Sequence, residues 1–171
     1  MNILTLDCET TTFRKGNPFS KRNKLCYVGV KFYDFPSTCI YNLLTEDIYT
    51  IRYKTQKQID IADIIVGFNI KFDIHWLMNI GVTFNNVRQI WDCQLAEFLL
   101  ESQQNPYNSL NDALTKYGKP CKLDVVKTEF WDKGIDTPDI PEDIMREYLE
   151  YDCEGTERVF IEQAKQFGIK L

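Results

Sequence analysis

The chain of 171 residues holds a single histidine, His75, and no two of its six cysteines stand at C-x-x-C spacing. A structural zinc site needs closely spaced Cys and His ligands, so none is expected. No stretch of 18 apolar residues occurs, which excludes a membrane-spanning helix by this criterion. The first residues, MNILTLDCETTT, contain no base and carry Asp7 and Glu9, unlike a secretory signal. Without an export signal, the widely spaced cysteines read as reduced thiols of a cytoplasm. Positive charge is also in deficit: 20 Lys and Arg stand against 25 Asp and Glu, a net charge of −5. That excludes a surface that is basic throughout, but not a locally basic cleft.

What is present reads as one globular domain over residues 1–171, with 44% apolar and 26% charged residues. A chain of this length buries roughly 70% of the surface it exposes when unfolded. Strands are expected at Asn2–Cys8, Tyr27–Tyr33, Thr38–Leu44, Ile64–Phe68 and Asn86–Trp91. Helices are expected at Ile70–Ile80, Asp92–Glu101 and Ser109–Tyr117, and a long one from Pro141 to about Phe167. Lys119–Pro141 reads as loop with a short helix. Strands in series followed by alternating strands and helices predict an α/β fold, a mixed sheet with helices packed on it.

Three places put carboxylates where the pattern wants apolar groups. Along the first strand Leu4, Leu6 and Cys8 share one face, and Asp7 and Glu9 share the other, roughly 6.6 Å apart at about 3.3 Å per residue. Like charges so close need a cation between them or a shared proton. Asp73 lies within the apolar stripe of Ile70, Ile74 and Leu77. Asp152 lies within that of Met145, Leu149, Thr156, Phe160 and Phe167, with Tyr148 one turn before it. An unpaired buried charge costs several kcal/mol. Either each acid has its own Lys or Arg, or the four converge on divalent metal. Oxygen-only ligands suit Mg²⁺ or Mn²⁺. Asn69, four residues before Asp73, reads equally as a helix cap and as a brace for that carboxylate.

The segments Leu6-Asp7-Cys8-Glu9-Thr10, Asn69-Ile70-Lys71-Phe72-Asp73 and Tyr148-Leu149-Glu150-Tyr151-Asp152 resemble the three motifs of the DEDD, or DnaQ-like, 3′–5′ exonucleases. Asp-x-Glu alone is expected about once by chance, but Asn-x-x-Phe-Asp only about 0.06 times. The Tyr-x-x-x-Asp form is similar to the tyrosine subclass; a histidine before the last Asp, which the other subclass needs, is missing. Val66-Gly67-Phe68-Asn69, Trp91-Asp92 and Ser109-Leu110 through Tyr117-Gly118 most resemble the proofreading domain of phage family A DNA polymerases. Thr12 departs from the glycine of many relatives.

The resemblance implies an RNase H-like, five-stranded mixed sheet flanked by helices. It implies a DNA exonuclease with two divalent ions, Mg²⁺ or Mn²⁺. Asp7 would bridge both ions, Glu9 and Asp152 would hold the one that activates water, and Asp73 would support the other. Tyr148 would position the water, an ordinary phenol having a pKa of about 10. Partners implied are single-stranded or frayed 3′ ends of DNA, or of RNA for an RNase D-like enzyme, and a separate polymerase chain, with no membrane. The setting implied is the cytoplasm of a bacterium or a phage-infected host. A non-catalytic subunit that keeps the fold is the third reading. The loop of residues 12 to 25 carries Arg14, Lys15, Lys21, Arg22 and Lys24 without an acid. It reads either as a solvated, flexible face or, with Thr10 and Phe13, as a contact to the phosphate backbone, Phe13 and Phe19 then stacking on bases. Asp92 reads equally as a cap and as site support, and His75 as a surface or structural residue.

Overall fold

The computed structural model describes residues 1–105, 108–121 and 124–171. Strand β1 (Ile3–Thr10) runs through the middle of a five-stranded sheet of order β3-β2-β1-β4-β5. Antiparallel β2 (Leu25–Phe32) and β3 (Cys39–Asn42) lie on one side. Parallel β4 (Ile64–Gly67) and β5 (Gln89–Asp92) lie on the other. This is the five-stranded mixed sheet of an RNase H-like fold, with helices on both faces. The apolar run of β4, and that of β2 interrupted by a buried Lys31 paired with Glu157, fit strands covered on both sides.

One face packs α2 (Lys71–Asn79) and α1 (Ile48–Asp60) over Leu4, Leu6, Cys8 and Val28. The other packs α3 (Cys93–Leu100), α4 (Leu110–Lys116) and α6 (Glu142–Gln166) over Ile3 and Val66. Helix α1 is unassigned by the sequence reading. Its signals are an N-cap, Asp47, whose Oδ2 accepts the Thr50 amide at 2.8 Å, and buried Ile51, Thr55 and Ile59 at four-residue spacing. All five strands differ from the expected bounds at their ends, by up to three residues: β1 runs on to Thr10, β2 begins at Leu25, β3 is shorter at both ends, β4 stops at Gly67, and β5 begins at Gln89 because Val87 is held in a turn to Phe84.

The Lys119–Pro141 stretch contains α5 (Val125–Glu129) and two 3₁₀ turns, Trp131–Lys133 and Thr137–Asp139; its residues 122 and 123 lie outside the described ones. Helix α6 begins after Pro141 with Glu142 and Asp143 in its first turn, as expected. Phe167, expected on the buried stripe, instead ends the helix half exposed, its ring against Trp91 at 5.5 Å. Among the described residues no helix is long and apolar enough to cross a membrane.

Candidate active site

Strand β1 outlasts its parallel neighbour. β4 pairs with it only through Ile3, Leu4 and Thr5, leaving the Cys8 amide beyond the ladder. Helix α2 fills that gap: the Cys8 N–H donates to Asp73 Oδ1 at 2.9 Å. The turn that aims α2 is made at Asn69, whose φ of 61° lies in the left-handed region that Asn tolerates. Its own amide donates to Asp92 Oδ1 at 3.0 Å. The same Asp92 oxygen caps α3 by accepting the Gln94 and Leu95 amides, so Asp92 serves both as cap and as support for the turn. The side chain of Asn69 neither caps α2, whose N-cap is Ile70, nor hydrogen-bonds Asp73. A left-handed residue lies outside the helix, so its amide rather than its side chain does the positioning.

Helix α6 reaches β1 because Gly29 lets it. Gly29 stands opposite Asp7 in the β1–β2 register. A Cβ there would lie 2.8 Å from Leu149 Cγ and 2.9 Å from Cys153 Sγ. With only hydrogen in that space, α6 rests on the sheet and Asp152, adjacent to Cys153, comes up beside Asp7. Carboxylate oxygens of Asp7, Glu9 and Asp152 all lie within 4.8 Å of one another. Asp73 sits behind them, 2% exposed, near enough for Asp7 to act on its ionisation.

The charges leave their mark on four buried neighbours. Burial, then the charge of Asp7, pushes the Asp73 carboxyl well up, against the pull of the Cys8 amide. Burial and the surrounding carboxylates push the Cys8 and Cys153 thiols well up too, so neither is a thiolate nucleophile. Burial, then Glu9 and Asp152, raises the Tyr148 phenol. It stays protonated and can donate a hydrogen bond but cannot serve as a base near neutral pH.

Tyr148 is held from outside by groups the sequence reading did not single out. The Trp131 ring meets it edge-on at 5.6 Å. Trp131 Nε1 donates to Thr137 Oγ1 at 3.2 Å, and that hydroxyl donates to the Thr10 carbonyl at 2.6 Å. Asp136 Oδ1 accepts the Thr12 amide at 2.7 Å. Residues 131–137 are thereby stitched to the end of β1. Asp136-Thr137-Pro138 carries a turn signature, but nothing local announces where that turn docks.

Two openings flank the carboxylates. One, about 270 Å³, is lined by Asp7, Phe68, Asp124, Tyr148 and Asp152. The other, about 240 Å³, is lined by Glu9, Thr10, Lys15, Phe72 and Trp131. Phe72, Trp131 and Asp124 are thus further cleft residues. Of the basic loop, Lys15 borders the second opening, while Lys21 and Lys24 border a separate cavity. Arg22 covers the Phe13 ring at 3.8 Å, which occupies one of its faces. His75 is exposed, its ring edge-on to Phe19 at 5.0 Å.

The donor set is all oxygen, and its spacing is near the about 4.2 Å between opposite ligands of Mg²⁺. Asp7, Glu9 and Asp152 therefore fit a hard divalent ion after small rotamer adjustments. The sequence model of the DNA_pol_A_exo1 family, described as 3′–5′ exonuclease, matches residues 1–164. The chain belongs to that family. No curated protein gives a significant match. As a DNA_pol_A_exo1 domain the chain is a hydrolase, a 3′–5′ exonuclease acting on nucleic-acid 3′ ends, of a metal-dependent family.

Proposed function

We propose that this exonuclease removes nucleotides one at a time from single-stranded or frayed 3′ ends of DNA, releasing nucleoside 5′-monophosphates. The observation that carries the reading is the convergence of Asp7, Glu9 and Asp152 at an opening that Tyr148 also lines. DNA is favoured by the family's tie to DNA polymerases. A polymerase on a separate chain would deliver such frayed ends; DNA breakdown would use the same chemistry.

Asp7, Glu9, Asp73 and Asp152 would hold two ions, Mg²⁺ or Mn²⁺. Bound there, the ions would supply hydroxide near neutral pH and neutralise charge on the leaving 3′ oxygen. Asp7 lies with Glu9 and Asp152 and is near enough to Asp73 to act on its ionisation, so it would be the carboxylate shared between the two ions. Tyr148 donates a hydrogen bond that orients the attacking water or the phosphate oxygen. The Trp131 edge limits where its ring can swing. Asn69 braces the start of α2 through its backbone. Thr10, Phe13, Arg14, Lys15, Lys21, Arg22 and Lys24 would contact the nucleic acid, Thr10 and Lys15 at the opening next to Glu9 and the others along the loop beyond it.

The test is a time course on 5′-labelled single-stranded DNA and matched RNA with Mg²⁺ or Mn²⁺, beside Asp7→Ala. The expected result is a DNA ladder shortening from the 3′ end, lost in the variant and in EDTA. A ladder on RNA alone reassigns the substrate. A DNA ladder unchanged in Asp7→Ala overturns the assignment of the site.

A further inference from the structure

We propose that the basic loop is a ridge between two chambers. The second, on the side of the loop away from the carboxylates, seats the substrate strand several nucleotides 5′ of the scissile bond. This rests on the exonuclease reading above and adds a binding site to it.

The loop is built rather than floppy. Arg14, Lys15 and Gly16 adopt φ values of 49°, 58° and 68° in succession. Two non-glycine residues in the left-handed region are a strain that surroundings must enforce. A Cβ at Gly16 would collide with Thr10 Oγ1, so only glycine lets the loop close onto β1. Asn23, 7% exposed, is the internal clamp: its Nδ2 donates to the Phe13 carbonyl at 2.8 Å and the Asn17 carbonyl at 2.9 Å. From α2, Trp76 Nε1 donates to the Gly16 carbonyl at 3.0 Å and Asn79 Nδ2 to the Pro18 carbonyl at 2.8 Å. A loop ordered before binding loses little entropy on binding.

Its cations face two ways. Lys15 borders the opening that contains Glu9 and Phe72. Lys21 and Lys24 border a cavity of about 460 Å³ whose apolar wall includes Trp76, Leu43 and Ile48. Phe19, at the rim of that same cavity, stands 76% exposed, its ring against His75.

Charge selects the occupant. Among the described residues, no carboxylate lies at ion-pair distance from any of the five loop cations, whereas Lys31, Lys116, Lys119, Lys127 and Arg146 are all paired. Unneutralised cations on a protein of net charge −5 form a local attractor for a polyanion. Cations, an apolar wall and an exposed ring together suit single-stranded nucleic acid. Lys21 lies six positions after Lys15, at most roughly 20 Å of chain, so one strand of a few nucleotides could touch both.

The test is fluorescence anisotropy with oligothymidylates from dinucleotide to dodecamer, in EDTA so that nothing is cut. In wild type, affinity should climb with length and level off at about eight nucleotides. Lys21→Gln with Lys24→Gln should erase most of that gain, about tenfold or more, and shallow the log–log salt slope by about 1.4, at about 0.7 per phosphate. Phe19→Ala should weaken the octamer several-fold without changing the salt slope. Lys170→Gln, a distant exposed cation, should leave binding within about twofold. An octamer bound no better than a dinucleotide, or bound equally by the double variant, overturns the second chamber. Either could be found while the Mg²⁺-dependent ladder persists, so failure here is separable from failure of the exonuclease reading.

Discussion

Two buried carboxylates, Asp73 and Glu97, are 2% and 1% exposed, yet they are treated in opposite ways. Burial pushes Glu97 up, but Lys116, Tyr117 and Gln163 all donate to it and the balance is downward. Burial also pushes Asp73 up, and there Asp7 adds to the push rather than relieving it. Glu97 ties α3, α4 and α6 together: Gln163 also donates to the Cys93 carbonyl at 2.8 Å and accepts from Trp91 Nε1 at 3.0 Å. Asp73 belongs to a group of acids brought together against their mutual repulsion. A carboxylate given a cation and donors serves stability; carboxylates aimed at one another serve something that arrives later.

The comparison holds if the two regions respond differently to mutation and breaks if they respond alike. Asp7→Ala should cut exonuclease rate by about 10²–10³-fold or more, the scale of removing one preorganised electrostatic group. Its melting temperature without divalent ions should not fall, because a like charge has been removed. Wild type should gain stability on adding Mg²⁺, about 2.7 kcal/mol at a hundredfold excess over Kd, and Asp7→Ala much less. Scanning calorimetry with and without Mg²⁺ reads both.

Gly29→Ala sits between the regions. The added methyl should push α6 from the sheet, costing about 1–3 kcal/mol of stability and about tenfold in activity by moving Asp152 away from Asp7. Chemical denaturation and the nuclease ladder check the pair of effects. Loss of stability with activity intact would show that α6 keeps its register by other contacts.

Glu97→Gln should do the reverse of Asp7→Ala. The cost should be about 2 kcal/mol, below that of a fully buried pair because Lys116 is partly in water, with activity per folded molecule kept. The pH dependence has a defined sign. A carboxyl lowered by folding adds stability that is present above its unfolded pKa of about 4.3 and is lost as pH falls through the folded value. Wild type should therefore lose stability more steeply than Glu97→Gln below about pH 4.3. Parallel melting curves from pH 3 to about pH 7 would test that. The smallest effect belongs to Thr137→Val, which removes the anchor of Trp131 and the bond to Thr10. A drop in kcat of about fivefold with KM unchanged is expected from about 1 kcal/mol, read by single-turnover kinetics.

The strand and helix that bear Asp7, Glu9 and Asp152 were legible because local periodicity shows an acid on a core-facing side without any knowledge of the partner. Helix α1 carried the same kind of signal in Ile51, Thr55 and Ile59, but polar neighbours dilute it, and a short tract between strands is easily taken as connection. Asn69 was legible in place but not in action. Whether it caps or turns depends on its φ, which the packing of β4 against α2 decides. The hold of Trp131 on Tyr148 was not legible at all. It spans two segments whose contact depends on a turn docking to Thr10, and no periodicity crosses that distance. The sidedness of the loop, Lys15 one way and Lys21 the other, follows from left-handed backbone at Arg14 and Lys15 that composition alone does not announce.

The most direct test of the claim that these carboxylates are gathered for metal is a calorimetric titration of Mn²⁺ into the wild-type protein and into Asp7→Ala. Two bound ions in the wild type, and loss of at least the tighter one in the variant, are predicted. No binding in the wild type, or the same isotherm for both, would contradict it.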